Sequence, residues 1–69
     1  MKLPRVAARK VIHILKKKGF RLVRQSGSHM IFRNDEGTRV TVPYHSEKVL
    51  HPKLLKHIMK DADIKPEEF

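Results

Sequence analysis

The chain has 69 residues, a formal net charge of +9 and no cysteine. That length holds one small domain, residues 1–69, in which folding buries only about 60% of the unfolded surface, so Rossmann or TIM architectures and deep cofactor cavities do not fit. Without cysteine there is no disulfide framework, no thiolate zinc site and no thiol nucleophile.

No apolar run approaches the ~18 residues of a membrane span. The first residues also lack the apolar stretch of a signal peptide. With no disulfides to keep oxidised, the expected location is the cytoplasm. The charge is unevenly placed. Residues 1–33 hold ten Lys and Arg and no acid, while residues 34–69 hold six basic residues and all seven acids, so the halves carry +10 and −1. Such a field attracts a polyanion by steering and counterion release. A basic helix lying on a membrane is the competing use, but the first helix is short and has no aromatic anchor on its apolar face.

In chain order, Pro4 suits the first turn of a helix, where its missing N–H costs nothing. Ala7, Ala8, Val11, Ile14, Leu15 and Lys18 then follow a helical period. Arg5, Arg9, Lys10, His13, Lys16 and Lys17 are left for the solvent side. Gly19 reads as the stop, with the preceding lysines at the negative end of the helix dipole. Residues 20–25 switch to a strand period, with Phe20 and Leu22 on one face. Ser26-Gly27 is a turn signal, and residues 28–33 form the next strand. Asn34-Asp35-Glu36-Gly37 reads as a hairpin loop, and residues 38–42 as a third strand ended by Pro43. Pro52 opens a second helix, with Leu54, Leu55, Ile58, Met59 and Ala62 on one side. Residues 63–69 read as a loose acidic tail.

The expected fold class is α+β: helix, three antiparallel strands, helix, with both helices on one face of the sheet. Met30, Phe32, Val40 and Val42 then point at the helices. By the strand period of two, His29, Ile31 and Arg33 point to the opposite, open face. A bulge near Gly27 would alter this placement.

Five histidines are available. His13 and His57 read as solvated surface residues and His51 as a helix-boundary residue. His45 follows the last strand. His29 lies just after Gly27-Ser28, where backbone N–H groups and a hydroxyl are free to meet a phosphate. RNA carries its own nucleophile, the 2′-OH, so a protein that cleaves it need supply only a base, an acid and positive charge. A histidine, with an ordinary pKa of about 6.5, serves as either acid or base. Arginine or lysine stabilises the transition state. DNA cleavage usually needs a metal held by clustered carboxylates, and here four of the seven acids lie from Asp61 onward and none lies in residues 1–33. A zinc site from His45, His51 and His57 is disfavoured, because a spacing of six puts His51 and His57 on different helical faces. No metal and no cofactor is expected.

These residues match a known pattern. The chain resembles the HicA toxins, the small mRNA interferases of HicA–HicB toxin–antitoxin modules, over nearly its whole length. Lys18-Gly19-Phe20 at the end of the first helix is similar to the family's N-terminal part. Gln25-Ser26-Gly27-Ser28-His29 resembles its Gly-Ser-His motif before an apolar strand. Val42-Pro43-Tyr44-His45 resembles its Pro-x-His after the third strand, and the second helix follows in the expected place. The resemblance implies a fold like the double-stranded-RNA-binding domain and ribosome-independent cleavage of mRNA or other single-stranded RNA. It implies His29 as the catalytic histidine, with Gly27 and Ser28 shaping the site. It also implies a HicB-type antitoxin that blocks the site. Arg24, Arg33, Lys48 and His45 are the candidates to hold RNA. The alternative is a non-catalytic double-stranded RNA binder of the same fold, which would work by shape and by 2′-OH and phosphate contacts.

Overall fold

The computed structural model describes residues 5–44 and 49–69. Helix α1 spans Ala8–Lys17 and buries Ala8, Val11, Ile12, Ile14 and Leu15. The expected stripe is there from Ala8 to Leu15, widened by Ile12, while Lys18 stays exposed beyond the end of the helix. The Pro4 start lies outside the described residues. The stop is a Schellman motif: the Phe20 amide donates to the Leu15 carbonyl at 2.9 Å and the Gly19 amide to the Lys16 carbonyl at 3.1 Å. Gly19 takes φ 91°, a conformation that an L side chain resists. Phe20 is thereby turned inward and buried before any strand begins.

Strands β1 (Arg21–Ser26), β2 (His29–Arg33) and β3 (Arg39–Pro43) form an antiparallel sheet in the order β1-β2-β3. Gly27 and Ser28 make a two-residue loop between the paired residues Ser26 and His29. Gly27, at the first loop position, has φ 57°, as hairpin turns of this length require. The second hairpin closes on Asn34, whose Oδ1 accepts the amides of Glu36 at 3.0 Å and Thr38 at 2.8 Å. Asparagine serves here because its side chain mimics a backbone turn.

Helix α2 (Pro52–Ala62) starts where Pro52 predicts. His51 caps it, its Nδ1 accepting the Lys53 amide at 3.2 Å. Both helices pack on one face of the sheet, over β3. The core joins Val11 and Leu15 to Phe32, Val40, Val42, Leu55 and Ile58, all fully buried. An antiparallel bridge, Ala7 to Val49, ties the approach to α1 to the approach to α2.

Leu22 and the C-terminal segment differ from what local pattern alone suggests. Leu22 shares a face with Phe32, its pairing partner, yet it is 42% exposed and β1 is exposed along its whole length. The helices are seated over β3, so the inward face of the edge strand stays uncovered. The sequence also suggested a loose tail, whereas residues 63–69 fold back onto the core. Ile64 is buried and Phe69 packs against the core. A 3-10 turn, Pro66–Glu68, lets Glu68 accept the Lys65 amide at 2.7 Å and reach Lys18 Nζ at 3.3 Å. Apolar residues on either side of the acids anchor the segment, which a reading by charge alone overlooks. No helix among the described residues is long and apolar enough to cross a membrane.

Candidate functional site

The open face of the sheet is built by alternation on β2 and β3 and by its interruption on β1. Phe32, Val40 and Val42 are buried beneath the helices and Met30 is half-buried there. His29, Ile31 and Arg33 face the other way, opposite Pro43, Thr41 and Arg39 of β3. On β1 the register slips between Leu22 and Arg24, which leaves Val23 as an extra residue. Strict alternation from Leu22 would send Arg24 toward the helices. The bulge resets the phase, so Arg24 pairs with Ile31 and Ser26 with His29. The sequence reading anticipated that a bulge would matter, but near Gly27 rather than here.

Four arginines therefore share this face with His29. Arg21, Arg33 and Arg39 are direct partners across the three strands and form a row. Like charges directly opposite one another destabilise a sheet. Asp35 relieves one end, accepting from Arg21 at 2.8 Å. Both groups are solvent-exposed, so that pair adds little stability. Among the described residues, Arg24, Arg33 and Arg39 have no ion-pair partner. Val23, Arg24, Ile31, Arg33 and Arg39 line a shallow depression of about 140 Å³. Its apolar floor and cationic rim suit a flat or extended anion.

His29 lies at the other end of β2, four residues from Arg33 or about 13 Å along the strand. It is exposed. The preceding turn is held by the Gln25 side-chain amide, which donates to the Gly27 carbonyl at 3.3 Å. The Ser28 carbonyl accepts the Tyr44 amide at 2.6 Å. Among the described residues, the Gly27 and Ser28 amides donate to no carbonyl. They are free donors in the two residues that immediately precede His29.

The structure thus brings His29, Gly27, Ser28, Arg24 and Arg33 to one face and its rim. His45 and Lys48 lie outside the described residues. His51 is occupied as a cap, and His57 is exposed on α2. Sequence reasoning missed Arg21 and Arg39. Arg33 and Arg39 flank the Asn34–Thr38 loop symmetrically, and that hairpin register was the signal that pairs them.

Compared with known families, residues 8–64 match the family model described as the HicA toxin of bacterial toxin-antitoxin. The match runs from the start of α1 to the buried Ile64. No curated protein matches the chain.

Proposed function

The chain belongs to the HicA toxin family, the toxin component of a toxin–antitoxin pair, and from that premise we propose that it is an endoribonuclease that cleaves mRNA without ribosome, metal or cofactor. His29 takes the proton of a 2′-OH. The freed oxygen attacks the adjacent phosphorus, the P–O5′ bond breaks, and the departing 5′ oxygen takes a proton from solvent. The products are a 2′,3′-cyclic phosphate and a 5′-OH. An imidazole exchanges protons near neutral pH, which suits it to this step. Arg24 and the Gly27 and Ser28 amides stabilise charge on the phosphoryl oxygens. Arg33 and Arg39 hold phosphates further along the strand, as delocalised forks that grip phosphate in two places.

The observation that carries this reading is the uncovered cross-strand row Arg21–Arg33–Arg39 on the face that bears His29. Mutual repulsion on a marginal domain is tolerated where a polyanion discharges it. Membership of the family implies a cognate antitoxin. We place that partner, of HicB type, over the same face, where its acidic groups compete with phosphates.

The test is cleavage of a long single-stranded RNA in EDTA by wild type and His29→Ala. Cleavage by wild type alone is expected, with loss of at least ~100-fold on removing the general base. If wild type loses activity in EDTA, metal-free chemistry is wrong. If neither protein cleaves and both bind duplex RNA with the same salt dependence, the non-catalytic binder replaces this reading.

A further inference from the structure

On the helix side of the sheet, back to back with His29, lies a second recess of about 380 Å³. It is lined by Arg9, Ile12, His13 and Lys16 of α1, by Met30 of β2, and by Tyr44. Arg9, His13 and Lys16 stand at i, i+4 and i+7, so they form one stripe along the helix. Ile12 and Met30 supply an apolar floor. Tyr44 is exposed at 36%, an aromatic ring left partly uncovered next to three nitrogenous side chains. Its backbone is fixed, because its amide donates to the Ser28 carbonyl.

The placement of the recess matters as much as its lining. Met30 follows His29 in β2, and Tyr44 follows Pro43, the direct cross-strand partner of His29. Each lies one residue beyond the open face and on the opposite side. The recess and His29 therefore meet at the same end of the sheet, separated only by its rim at Ser28. The volume lies near the lower end of the ~300–1,000 Å³ of small-ligand sites, enough for one nucleotide rather than a duplex. A wall of one aromatic ring with adjacent cations is the composition that holds an unpaired base by stacking and its phosphate by charge.

We propose that this recess is a nucleobase subsite for the nucleotide next to the cleaved phosphate, with the RNA strand turning over the rim between Ser28 and Tyr44. The base stacks on Tyr44, Arg9 and Lys16 hold the flanking phosphate, and His13 meets the base edge. The inference rests on the reading of His29 as the cleavage centre. It makes the substrate single-stranded at this point, because a paired base cannot enter.

The experiment uses the full chain carrying His29→Ala, so that binding is read without cleavage. Affinity is measured for a short single-stranded RNA and for the same RNA with single abasic positions. Adding Tyr44→Ala is expected to weaken binding of the intact RNA about 10-fold, as loss of one stacked base does. Tyr44→Phe is expected to stay within about 2-fold, since the ring remains. With the abasic position at the subsite, Tyr44→Ala should have no further effect, an outcome that damage to the fold cannot imitate. Replacing Arg9 and Lys16 together with alanine should reduce the slope of log affinity on log salt by about 1.4.

Equal affinity of Tyr44→Ala and its parent for the intact RNA overturns the subsite, as does a Tyr44→Ala effect that persists at every abasic position. Unchanged RNA binding with weakened antitoxin binding would make the recess a protein contact and also overturn it. The underlying reading fails separately. If the otherwise wild-type His29→Ala protein still cleaves RNA, His29 is not the cleavage centre, whatever Tyr44 does.

Discussion

Gly27 does more for the site than its missing side chain suggests. A Cβ built on it meets nothing within 4 Å, so space is not the constraint. Its φ of 57° is the constraint, because an L side chain strains the backbone there. Gly27→Ala is expected to cost about 1–2 kcal/mol in urea unfolding, and Gly27→Asn less, since asparagine tolerates this region. If alanine and asparagine cost the same, the turn is held by something other than backbone strain. The same turn carries the two amides assigned to the phosphoryl oxygens, so the variants should lose activity in the same order.

At the scale of elements, each piece of the fold is stopped or redirected by a specific device. The Schellman motif ends α1 and sends Phe20 into the core. The bulge on β1 carries Arg24 to the His29 face. Leu22 and Val23 remain exposed on that edge strand, at 42% and 51%, but Arg21 and Arg24 flank them, which discourages pairing with another chain. The C-terminal turn has its own pH response. The hydrogen bond from the Lys65 amide holds the Glu68 carboxyl below the ordinary glutamate value; desolvation, next in size, opposes it, and the Lys18 ammonium adds a further downward pull. A depressed folded value means that the turn is stabilised above the unfolded glutamate range. That stabilisation is lost as pH falls through the folded value. In an NMR titration, Glu68 should therefore titrate below an ordinary glutamate, and Lys18→Ala should bring it part of the way back. Amide protection of Phe69 should fall over the same acid range in wild type and show no such step in Glu68→Gln.

Between the open face of the sheet and α2, charge is sorted by side-chain type as well as by position. The sheet's open face carries arginines at 21, 24, 33 and 39, while α2 shows solvent Lys53, Lys56 and Lys60. Arginine grips phosphate with a fixed fork, whereas lysine acts as a mobile point charge. Removing Arg33 and Arg39 together should therefore weaken both RNA and antitoxin binding, if the two compete for one face. The matching pair of alanines at Lys53 and Lys56 should mainly lower the salt slope for RNA. Competition binding with labelled RNA and purified antitoxin reads both. Simultaneous binding of RNA and antitoxin would show that the partner lies elsewhere.

Much of this was legible in the residues themselves. Period 3.6 marked both helices, period two marked β2 and β3, and Gly19, Gly27 and Pro52 punctuated them, because local sterics and hydrophobic alternation act over a few residues. The Gly-Ser-His segment and the excess of basic charge indicated the family on the same local terms. The tertiary structure decided what depends on contacts distant in sequence. The seating of the helices over β3 exposed Leu22, and Ile64 and Phe69 drew an acidic tail onto the core. Strand register set arginines 21, 33 and 39 side by side, and one extra residue in β1 turned Arg24 to the face that bears His29. A single slip reverses every side chain beyond it, and the slip is fixed only when the neighbouring strand is in place.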